Sequence, residues 1–132
     1  MRRWLACAAC AVVAAGCASD QGPTAGELSV RLATARPADR AVLFTVTGHL
    51  HGVSAASGSV YRVFADTAAN GDTARVVVVA PAGTGLLAGE LARVRVDDVR
   101  KAGSYVARVI DAATAAYTVG DTAGMSLSVV KP

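Results

Sequence analysis

The stretch VYRVFADTAANGDTARVVVVA, residues 60–80, decides the fold. Two apolar runs, Val60 to Ala65 and Arg75 to Ala80, flank the pair Asn70-Gly71. Asn-Gly between such runs is the strongest short-range signal of a β-hairpin, because the turn needs residues that tolerate a left-handed backbone. The unbroken valines of the second run predict a strand buried on both faces.

The same signal extends outward in both directions. Val42, Phe44 and Val46 alternate with Leu43, Thr45 and Thr47, and Leu28, Val30 and Leu32 alternate with Ser29, Arg31 and Ala33. This period of two marks half-buried strands. Ala35 to Arg40, with Pro37, reads as a loop, and Pro81 to Gly85 as a turn. Glu90 to Val96 alternates once an irregularity is allowed near Ala92. Asp97 to Gly103 is a polar connection with room for one helical turn, and Ser104 to Ile110 and Met125 to Val130 complete the set. About seven strands and no sustained helical periodicity predict an all-β fold, a single small antiparallel β-sandwich over residues 27–132.

Ahead of that domain the chain changes character. Arg2 and Arg3 precede an uncharged run, Trp4 to Ala15, which ends in Ala14-Ala15-Gly16-Cys17. About a dozen apolar residues is too few for a membrane-crossing helix, which needs about 20, but suits the helical core of an export signal. The segment resembles a bacterial lipoprotein (type II) signal peptide with its lipobox, although Ala14 stands where that family prefers Leu. The resemblance implies cleavage between Gly16 and Cys17, and diacylglyceryl and further acyl (palmitate-type) chains on Cys17. Two or more chains make an anchor lasting, whereas one gives marginal binding. Ala18 after the cysteine, rather than Asp, resembles the sorting pattern of outer-membrane lipoproteins. An ordinary signal peptidase cutting after Ala9–Ala11 or Ala14–Gly16 is the alternative. The expected organisation is therefore a signal peptide at 1–16, lipidated Cys17 and a flexible tether to 26, and the β-sandwich at 27–132. The exported part resembles immunoglobulin-like and cohesin-like domains, and Ala41 to Val46 and Asp98 to Tyr105 are similar to segments of uncharacterised lipoproteins. That resemblance brings no activity to any residue.

Composition narrows the functions. All three cysteines, Cys7, Cys10 and Cys17, lie in or at the end of the leader, so the domain can form no internal disulfide. It must stand on apolar burial, and a domain of about 105 residues removes roughly 60–70% of its unfolded surface from water. The chain carries 13 basic and 10 acidic residues. Without Arg2 and Arg3 this near-balance gives no electrostatic footprint for nucleic acid. Cys7-x-x-Cys10 has redox or metal spacing but falls in the segment expected to be removed.

Within the domain, His49-Leu50-His51 is the chief candidate for chemistry. Residues i and i+2 of an extended segment share a side, so two imidazoles can meet one metal ion. Asp66, Asp72 and Asp111 are the carboxylates considered for a third ligand; the plain reading is a polar strand end between Gly48 and Gly52. Gly52-Val53-Ser54-Ala55-Ala56 has the outline of a nucleophile elbow, but that motif needs a strand-to-helix turn and a later histidine, and both histidines precede Ser54. Asp66, Asn70 and Asp72 are oxygen donors of the kind calcium takes, and equally the residues a tight turn uses. Gly83-Thr84-Gly85 lacks the lysine of a phosphate loop. Asp97-Asp98, near Arg95, Arg100 and Lys101, reads as a solvated charge cluster or helix cap. Phe44 and Tyr105 read as core.

The expected function is that of a non-enzymatic envelope lipoprotein whose sandwich is structural or binds a protein partner, held to the membrane through Cys17. No cofactor, nucleic acid or small-molecule substrate is indicated. The alternative is a metal- or ligand-binding envelope domain using His49 and His51.

Overall fold

The computed structural model describes residues 22–132. The expected signal helix, Gly16, Cys17 and the first part of the tether lie outside the described residues. Nine strands form two antiparallel sheets: β1 (Gly26–Thr34), β2 (Ala41–Thr47), β3 (Gly52–Ser54), β4 (Arg62–Thr67), β5 (Thr73–Val79), β6 (Gly89–Val96), β7 (Val106–Ala113), β8 (Val119–Gly120) and β9 (Met125–Val130). One sheet has the order β3-β6-β1-β9 and the other β4-β5-β2-β7-β8. A 3-10 segment, Val99–Ser104, occupies the polar connection between β6 and β7. The chain is a small β-sandwich, as the alternation predicts.

The inward residues of the alternating runs make the core. Leu28, Val30 and Leu32 of β1 and Val94 and Val96 of β6 face Val42, Phe44 and Val46 of β2 and Val76 and Val78 of β5. Leu50 and Leu86 plug the sandwich from connections rather than strands. Each such side chain contributes roughly 1.5–3 kcal/mol by leaving water. The seven long strands match the sequence reading; β3 and β8, of three and two residues, escape it because so short a run has no measurable period. The irregularity near Ala92 is a β-bulge: Val30 pairs with Ala92 and Arg31 with Glu90, so Leu91 is extra and both Leu91 and Ala92 are buried.

The hairpin is formed by β4 and β5, paired from Arg62↔Val79 to Thr67↔Ala74. Gly71 has φ +74° in its loop, and the Asn70 side chain accepts from the Asp72 N–H at 3.1 Å. These are the turn roles of Asn and Gly. Asp66, on β4, stands opposite Arg75, so of the three oxygen donors weighed for calcium one lies on a strand and two lie in the turn.

One expectation is overturned. β5 is buried on one face only: Ala74, Val76 and Val78 are inside, whereas Arg75 is exposed and Val77 and Val79 are half-buried. Within the described residues nothing covers the outer face of the five-stranded sheet.

Candidate functional site

His49, Leu50 and His51 form the crossover from β2 in one sheet to β3 in the other. Their positions follow from burial and backbone bonding. Leu50 is 1% exposed and points into the core, which turns its two neighbours outward. The Gly48 N–H donates to the Asp72 carbonyl at 3.0 Å, the Leu50 N–H to the Gly71 carbonyl at 2.8 Å and the His51 N–H to the Arg95 carbonyl at 2.8 Å. The crossover is thus bonded to the hairpin loop on one side and to the end of β6 on the other. Gly48 has φ +129°, and a Cβ there would lie 2.5 Å from the Tyr105 ring. That ring lies against the crossover, and its hydroxyl donates to the His49 carbonyl. Burial first, then the charges of Asp97 and Asp98, push the Tyr105 hydroxyl above the ordinary tyrosine range.

Both histidines converge on Asp97, immediately beyond β6. His51 Nε2 lies 2.5 Å from Asp97 Oδ1, and His49 Nε2 lies 3.4 Å from Oδ2. The ring centroids are 5.5 Å apart with an interplanar angle of 79°, so the two edges approach from different directions. The other nitrogen of His49, Nδ1, faces Asp72 Oδ1 at 3.8 Å. One potential ligand atom from each of His49, His51 and Asp97 lies within 4.8 Å of the other two, and all three residues are exposed.

The sequence reading therefore found two members and missed the third. Of the carboxylates it considered, Asp72 reaches His49 from behind, while Asp66 on β4 and Asp111 on β7 lie outside the group. Asp97, read as part of a solvated pair with Asp98, is separated from His51 by 46 residues. The available signal was the doublet at a strand end, where the second acidic residue caps the next segment and leaves the first to other partners. Asp98 is that cap. It is 6% exposed and accepts from the Arg100 N–H, Nε and Nη2 and from the Thr24 N–H. The Arg100 guanidinium, above all, holds its carboxyl well below the usual range.

The remaining candidates take ordinary places. Ser54 ends the edge strand β3 and is exposed. Thr84 closes its turn on the Pro81 carbonyl. Ser29 is fully buried and donates its hydroxyl to Glu90, which also accepts from Arg93 Nε at 2.8 Å.

A second feature is the outer face of the five-stranded sheet. One rung runs Phe64, Val77, Leu43 and Asp111, and the next runs Arg62, Val79, Ala41, Ala113 and Val119. Phe64, on one edge strand, is 58% and Val119, on the other, 80% exposed, and Ile110 on β7 is also exposed. Leu43, Phe64, Ala65, Asp66, Arg75 and Val77 line an open depression of about 440 Å³ on this face. Arg62, Arg75 and Arg108 share this face with Asp66, opposite Arg75, and Asp111, opposite Leu43.

No protein-family model, curated protein or solved structure matches this chain.

Proposed function

We propose that the chain is a lipid-anchored envelope protein whose β-sandwich is a non-enzymatic module for binding another envelope protein. The observation that carries the binding part is the exposed apolar surface of the outer sheet face, where two adjacent rungs hold Phe64, Val77 and Leu43, and Val79, Ala41, Ala113 and Val119, between Arg62 and Asp111. Contiguous apolar surface rimmed by polar residues is characteristic of interaction sites.

The anchor rests on the lipobox-like sequence ending at Cys17. No helix among the described residues is long and apolar enough to cross a membrane. Thr24 accepts from the Val99 N–H and donates its own N–H to Asp98, so the tether joins the sandwich at the end that carries Asp97. Seven residues from Cys17 to Thr24 extend at most about 25 Å. In this reading that end faces the membrane, and Ala18 favours the outer membrane.

Two measurements test the two parts. Cys17→Ala should lose lipid labelling and membrane association; retention of both after cleavage would overturn the anchor. A photo-crosslinker at position 64 in producing cells should give one adduct of defined mass, which Leu43→Asp abolishes in a folded protein. No adduct, or equal adducts from a crosslinker at Ser57, would overturn the partner reading, and an adduct of twice the chain's mass would replace the partner with a second copy.

A further inference from the structure

We propose that His49, His51 and Asp97 form a binding site for one divalent transition-metal ion of the zinc class. The inference rests on the cluster geometry and not on the lipid anchor or the apolar sheet face.

Three observations carry it. First, the donor set is right: imidazole nitrogen and carboxylate oxygen are zinc ligands, at bonds of about 2.0–2.2 Å. A tetrahedron with such bonds has ligands about 3.3 Å apart, by geometry from those lengths. One donor atom from each residue lies within 4.8 Å of the other two; the His49 separation, 3.4 Å to Oδ2, is already at that value, and the His51 contact, 2.5 Å to Oδ1, is a direct hydrogen bond that an ion would have to open. The rings are exposed and free to make the small rotations that remain.

Second, both Nε2 atoms face the same carboxylate while His49 Nδ1 faces a different one, Asp72. A metal-bound histidine characteristically hydrogen-bonds its other nitrogen to a carboxylate, and Asp72 Oδ1, 3.8 Å from Nδ1, is close enough to take that role after a small side-chain rotation.

Third, the backbone is set before any ion arrives. Leu50 is locked in the core between the two histidines, and three backbone hydrogen bonds and the Tyr105 hydroxyl fix the crossover. The backbone that carries the two histidines needs no ordering on binding, which lowers part of its cost. Three protein ligands leave a fourth position open to solvent, as in zinc sites that exchange a ligand. Imidazole donors favour zinc, copper and nickel over magnesium and calcium, which prefer all-oxygen sites.

The chain has two histidines, so imidazole proton resonances report this site and no other, whatever the leader cysteines hold. With zinc added to the full chain at neutral pH, both sets of resonances should move and saturate at one site. Asp97→Asn should weaken binding at least tenfold with its methyl spectrum unchanged, and His49→Gln should leave His51 unresponsive at equimolar zinc. Calcium should move neither. The proposal is overturned if zinc moves only one histidine or none, if Asp97→Asn titrates like the wild type, or if calcium acts as zinc does.

Discussion

At the scale of single residues, Gly48 and Asp97 show how a site depends on positions with no chemistry of their own or no obvious role. Gly48 holds φ +129° with the Tyr105 ring where a Cβ would go. Only glycine adopts that backbone without strain. Gly48→Ala should lower stability by about 1–3 kcal/mol, read as a shift in the urea midpoint. Gly103→Ala, where a Cβ meets nothing within 4 Å and φ is ordinary, should be neutral within about 0.5 kcal/mol. Equal effects of the two would contradict the account of the crossover. Asp97 is legible in the sequence as an acidic residue beside a cap but not as a partner of His49 and His51. Nothing local links positions 51 and 97; β3 pairing with β6, Gly52 against Arg95, brings them together.

At the scale of elements, the 3-10 segment illustrates a connection held by one capping carboxylate. Asp98 caps it and receives the Arg100 guanidinium. Its carboxyl is held below its ordinary range, so the unfolded chain takes up the proton at higher pH than the folded one. The stabilisation is therefore full above about pH 4, the unfolded carboxylate range, and is lost as pH falls toward the folded value. Asp98→Asn should be less stable than wild type at pH 7 and show a shallower loss of thermal midpoint between pH 4 and pH 2. A parallel acid profile would show that Asp98 is not a source of the acid sensitivity. Glu90 keeps some acid dependence in the variant: burial pushes it up, but hydrogen bonds from Ser29 and Arg93 and nearby charge bring it below its ordinary value. Among the strands, β5 marks the limit of pattern reading. Four consecutive valines, Val76 to Val79, suggest two covered faces. A sandwich supplies cover on one.

At the scale of the whole molecule, two phenylalanines test the architecture. Phe44 and Phe64 both stand in apolar β-runs, yet Phe44 is fully buried and Phe64 is 58% exposed. Phe44→Ala should cost about 3–5 kcal/mol, whereas Phe64→Ala should stay within about 0.5 kcal/mol. Denaturant unfolding of the two variants checks this directly. Comparable losses would mean that the outer sheet face is covered and unavailable to a partner.

Strand identity, the hairpin at Asn70-Gly71 and the two histidines of the crossover were legible in the sequence. Each rests on interactions within a few residues: side-chain alternation of period two, the left-handed tolerance of a turn glycine, and the shared side of positions i and i+2. The tertiary structure alone decided which face of β5 meets the core, which aspartate completes the histidine pair and where the tether joins the domain. Those depend on sheet order and sheet switching. The contacts that choose them, His51 to Asp97 and Thr24 to Asp98, span 46 and 74 residues, a separation over which no local periodicity carries information.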